Sequence, residues 1–105
     1  MRRWQAAYHW RMIDAPSELP GQDLVSAGLA DLAKGLETTP ALLVAMAAPR
    51  LRMLGIDVPI SGEKQPSHRL YELLSQTEHG AHSRYNALVG RIVSFARAAE
   101  HAAAR

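Results

Sequence analysis

The stretch that most constrains this chain is residues 39–55, TPALLVAMAAPRLRMLG, because the densest apolar side chains fall there. From Thr38 to Pro49 twelve consecutive residues carry no charge. A membrane span needs roughly 20 apolar residues, so a run of this length predicts a buried helix in a globular domain. Its start is marked by Thr38, Thr39 and Pro40. A threonine caps the free amides, and proline takes the first helical position, where its missing N–H costs nothing. The following ALLVAMAA is apolar on every side, so the helix predicted over 40–54 is covered on most faces.

Pro49 is the odd residue in this run. Inside a helix it removes the hydrogen bond to the carbonyl of Ala45 and clashes with it, for about 3 kcal/mol. A kink or break is therefore expected at Pro49, with 50–54 as a second short piece. Gly55 is the expected residue just past the helix, where a left-handed backbone is needed. Arg50 and Arg52 stand at the negative end of the helix dipole.

The flanking sequence is amphipathic and helical in period. Val25, Leu29, Leu32 and Leu36 follow one stripe over 22–36, and Gly28 beside it permits close approach of another helix. Leu70, Leu73, Leu74 and Thr77 share a face over 68–77, with Ser67 as the expected cap. Tyr85, Leu88, Ile92, Phe95 and Ala99 form the stripe of a long last helix over 81–103. Its end, ARAAEHAAAR, has high helix propensity and little to bury, so fraying or extension into solvent is expected. Residues 2–13 contain no glycine or proline and suit a further helix, with Trp4, Tyr8 and Met12 on one face.

The result is an all-α expectation: a single compact bundle of about five helices around a central buried helix kinked or broken at Pro49. Residues 1–13 are the N-terminal arm or helix, 14–21 a connector rich in proline, and 22–103 the helical core. At 105 residues the chain is long enough for one core without disulfides, and it contains no cysteine. That excludes cysteine-ligated zinc, iron–sulfur clusters and thiol nucleophiles. No export signal follows Arg2 and Arg3, because Gln5, His9 and Arg11 interrupt any apolar core, so cytoplasm is the expected compartment. The length of the last helix also makes a homo-oligomer a candidate assembly.

Net charge is only +2, yet it is unevenly placed. Residues 14–37 carry five acids against Lys34, while residues 81–105 carry four arginines against Glu100. Such asymmetry steers a charged partner or pairs within the molecule, and the intramolecular reading leads. Arg50, Arg52, Arg69, Arg84 and Arg91 can also form one basic surface.

Three constellations merit a chemical reading. The run His82–Asn86 opens the last helix, so its free amides with His82, Ser83 and Arg84 can hold an anionic or protein partner, alongside Arg50, Arg52 and Arg91. The plainer reading has Ser83 capping the helix and Arg84 pairing with an acid. In the second constellation, Arg2, Arg3, Trp4 and Arg11 offer phosphate contacts and stacking for nucleic acid. In the third, His68, His79, His82 and Glu78 suggest a metal-dependent enzyme. Against it stands Gly80, which interrupts the helical spacing of His79 and His82, and no HExxH motif is present. No nucleotide-binding loop or nucleophile elbow occurs either, and no cofactor is expected.

The segments LPGQDLVSAGLADLAKG, ALLVAMAAPRLRMLG and HSRYNALVGRIVSF resemble small helical proteins of high-GC bacteria, some of which are antitoxin or accessory partners of a larger gene product. That resemblance covers most of the chain and implies a non-enzymatic binding or regulatory role. The leading expectation is thus a module that binds another protein, ahead of nucleic-acid binding and of a metal-dependent enzyme. No membrane association is expected.

Overall fold

A computed structural model describes residues 19–77 and 79–104. Among them the chain forms four helices and no strand: α1 (Gln22–Ala33), α2 (Thr39–Met53), α3 (Pro66–Thr77) and α4 (Ala81–Ala103). The all-α class stands. The helix expected over 2–13 lies outside the described residues.

Helix α2 is the hub, and it packs against α1, α3 and α4. Leu42, Leu43, Val44 and Leu51 are fully buried, Ala41 and Ala48 nearly so, and Met46 is half-buried. Around them lie Val25 and Leu32 of α1, Leu70 and Leu74 of α3, and Leu88, Ile92, Phe95 and Ala99 of α4. The three amphipathic stripes therefore cover the apolar run, as its composition requires. The expected cap is also present, since the Thr38 side chain accepts a hydrogen bond from the Ala41 amide at 3.2 Å. The Thr38 hydroxyl in turn donates to Asp31, tying the end of α1 to the start of α2.

Of the kink or break expected at Pro49, the break does not occur: α2 continues through the proline to Met53 as one helix. Ala48 and Leu51 are buried on either side of the proline, and the proline itself faces solvent. Beyond it, Arg50 is held by Glu100, and Arg52 donates to the Val58 carbonyl at 2.9 Å. Packing and these two anchors offset the cost of the interior proline, its lost hydrogen bond and ring clash together amounting to about 3 kcal/mol.

Two helices end by the same device. After α2, Gly55 has a left-handed φ of 92°, its amide donates to Arg52, and the Ile56 amide donates to Leu51. Leu51 and Ile56 are both buried, completing the hydrophobic contact of a Schellman motif. After α1, Gly35 (φ 75°) donates to Leu32 and Leu36 donates to Asp31. This stops α1 at Ala33 rather than at Leu36, and it carries Leu36 off the buried stripe to 46% exposure.

One further boundary differs from expectation. Helix α3 opens at Pro66, which suits proline's fixed φ, so Ser67 lies inside the first turn and does not precede it. Helix α4 keeps the expected bounds, Ala81–Ala103, and His101, Ala103 and Ala104 at its end are exposed. Ala96 and Ala99 are buried, and Glu100 is bridged to Arg50, so the alanine-rich end has a partner in α2.

Candidate functional site

The arginines that sequence pattern groups into one basic face are separated and engaged. Arg50 makes a two-point bridge to Glu100, with Nε to Oε2 at 2.7 Å and Nη2 to Oε1 at 2.9 Å. Arg91 donates to Asp23 at 2.7 Å, and Arg69 donates to Glu37 at 2.9 Å. The hydrogen bond from Arg50 holds the Glu100 carboxyl below its ordinary range, and that from Arg91 does the same for Asp23. Asp23 belongs to the acidic second segment and Arg91 to the basic last one, so this bridge realises the intramolecular reading of the charge asymmetry, whereas Glu37 meets Arg69 of α3.

The expected partner-binding residues also split in two. Arg50 meets Glu100, whereas His82, Ser83 and Arg84 occupy the first turn of α4. Sixteen residues of helix separate Arg84 from Glu100, a rise of about 24 Å. Arg50 and Arg52 therefore stand at the opposite end of α4 from His82, Ser83 and Arg84. Arg91 lies between, already paired with Asp23.

At the opening of α4, Gly80 adopts a left-handed φ of 66° and supplies no side-chain cap, so Ser83 is inside the helix and does not cap it. His82 Nε2 lies 3.2 Å from the Asn86 side-chain nitrogen. The Tyr71 ring is tilted against His82 and Tyr85, at centroid distances of 6.3 and 5.5 Å. Arg84 is exposed on the same turn.

The histidines do not converge. His68 approaches Glu72 at 3.9 Å on one turn of α3, and His79 is exposed in the turn before α4. Among the described residues no group of three or more histidines and carboxylates is placed to hold a metal ion. Glu78 lies outside the described residues, as do Arg2, Arg3, Trp4 and Arg11.

Sequence reasoning did not single out one further feature of the fold. The loop 56–65 alternates: Ile56 and Val58 are buried, and Ile60 is thrown outward at 89% exposure. Arg52 pins this loop through the Val58 carbonyl. Between Ile60 and the α1–α2 turn lies a hollow of about 190 Å³. Its floor is Leu32, Ala41 and Leu42, its apolar lips are Leu36 and Ile60, and among the described residues its only charged lining is Glu37 and Glu63. The one signal for it was the Lys34–Gly35 helix stop, which releases Leu36; the apolar alternation of 56–60 would have placed Ile60 inside with Ile56 and Val58.

The described residues thus form an all-α domain with a hollow of mixed lining beside the α1–α2 turn, and Arg50, Arg69 and Arg91 are drawn into internal ion pairs. Among them no helix is long and apolar enough to cross a membrane. No family model matches the chain, and no curated protein or solved structure is found similar to it.

Proposed function

We propose that this chain is a non-enzymatic protein-interaction module, with an accessory or antitoxin-like role as its widest form. One observation carries the reading: Leu36 and Ile60 are exposed on the two lips of a single apolar-floored hollow. Large aliphatic side chains paired in this way across a concavity suit a protein partner, which supplies the apolar surface to cover them. Nucleic-acid binding is supported less well. Arg50, Arg69 and Arg91 are already satisfied by carboxylates, which would have to be displaced before these arginines could meet phosphates.

The test is site-specific crosslinking in the native host. A photo-reactive residue at position 60 is expected to give a discrete protein adduct, and one at exposed Ser94 of α4 is not. Adducts that are absent, or equal from the two positions, would count against the module. The nucleic-acid reading would gain if the purified protein bound duplex or single-stranded DNA with an affinity that falls steeply with salt.

A further inference from the structure

We infer that the hollow between the α1–α2 turn and the loop 56–65 docks a protein segment that presents an aliphatic side chain beside a lysine or arginine. This rests on the interaction reading above and adds the chemistry of the partner.

Size comes first. A drug-sized ligand or cofactor fills roughly 300–1,000 Å³, whereas this hollow offers about 190 Å³. That is room for a side chain rather than a whole small molecule. The floor of Leu32, Ala41 and Leu42 is apolar, and Leu36 and Ile60 extend the apolar contact upward on both sides. An aliphatic side chain inserted between them buries the two most exposed parts of the rim.

Charge then selects what stands beside it. Glu37 is already answered by Arg69, whose hydrogen bond to it measures 2.9 Å. Glu63 is not: among the described residues its carboxylate accepts from the Gln65 amide at 3.0 Å, and no cation pairs with it. That amide contact orients the carboxylate on the rim without neutralising it. Across the ridge formed by residues 60–63, a second hollow carries Arg52 and Lys64, with Glu63 shared between the two. The acid-only lining is therefore particular to the first hollow. A basic residue there meets a ready counter-charge, and an acidic one meets Glu63.

The experiment uses the full chain and three labelled twelve-residue peptides of designed sequence, read by fluorescence anisotropy. One carries leucine and lysine, one leucine and glutamate, and one serine and lysine. The leucine–lysine peptide is expected to bind best, with an affinity that weakens as salt rises. Ile60→Ser is expected to weaken it about tenfold by removing one lip. Glu63→Lys is expected to reverse the preference toward the leucine–glutamate peptide. Glu63→Gln, which keeps an acceptor for the Gln65 amide, is expected to flatten the salt dependence, and circular dichroism checks that each variant is folded. Equal binding of the leucine–glutamate or serine–lysine peptide to the wild-type chain would overturn the inference. So would binding of none of the three. Crosslinking from position 60 can still succeed in that case, so failure of the charge assignment is distinguishable from failure of the interaction module.

Discussion

Arg50 of α2 and Glu100 of α4 face each other in a fork, joined by two hydrogen bonds of 2.7 and 2.9 Å across a sequence separation of fifty residues. The contact fixes the far end of the longest helix to the hub of the fold, beyond the point where Pro49 removes a backbone bond. Asp23 and Arg91 make a second tie, joining the first turn of α1 to the middle of α4. Both pairs are substantially exposed, so their strength depends on the solvent around them.

These two bridges set an acid dependence. Glu100 is held below the ordinary carboxylate range by the hydrogen bond from Arg50, and Asp23 by that from Arg91. A carboxyl depressed in the folded state contributes stability that is full above its unfolded-state value and is lost as pH falls through its folded-state value. Melting temperature is therefore expected to fall with pH below the ordinary carboxylate range. The Asp23→Asn, Glu100→Gln double variant is expected to show a shallower acid slope. Its deficit at neutral pH is also expected to shrink in high salt. Thermal melts across pH and salt check both; an unchanged acid slope in the variant would show that other carboxylates govern the transition.

Glycine substitutions are expected to divide by sign. A Cβ at Gly28 would overlap the Pro40 carbonyl and the Val44 side chain, since α1 and α2 meet there closely. Overpacking against backbone costs about 1–3 kcal/mol, which outweighs the gain of about 1 kcal/mol from helix propensity. Gly28→Ala is expected to destabilise. At Gly90, inside α4, a Cβ meets nothing within 4 Å. Gly90→Ala is expected to stabilise by about 0.5–1 kcal/mol. Urea unfolding of the two variants measures both signs.

Much of the fold was legible in residue pattern, and the exceptions have physical causes. The charge-free run, the Thr38 cap and Gly55 located α2, because burial and caps are local and strongly typed. The end of α1 was misplaced because Leu36 continues the apolar period, while Gly35 satisfies a left-handed stop; backbone conformation outranks periodicity there. Pro49 left kink and break open, and the break was not decided locally, since the anchors that carry α2 through it come from Glu100 and Val58, distant in sequence or set by a loop. The candidate site was least legible. Arg50 and Arg84 looked like parts of one basic face, and only the packing of α2 along α4 shows that they stand at opposite ends. The hollow required the α1–α2 turn and the loop 56–65 to meet, and no periodicity encodes that meeting.

Pro49 offers a direct test of the offset argued above. It is exposed, and helix continues on both sides of it. Replacing it by alanine restores an amide that can donate to Ala45 and removes the ring clash, without emptying any buried space. Pro49→Ala is expected to stabilise the fold by about 1–3 kcal/mol. Hydrogen exchange at Arg50 and Leu51 is expected to slow with it. If stability falls instead, the helix depends on a geometry that proline imposes.

The central assignment is tested at Leu43. It is fully buried in the face of α2 around which the other helices close, and Val44 beside it is equally covered. Leu43→Ala removes apolar atoms from a site bounded by several helices, where collapse is restricted. The expected loss is about 2–5 kcal/mol. Met53 lies on the same helix but is 86% exposed, so Met53→Ala is expected to change stability by less than about 0.5 kcal/mol. Paired urea titrations measure the contrast. Equal effects at the two positions would mean that the apolar run is not the core of the domain, and that Leu43 is covered by something other than the chain's own helices.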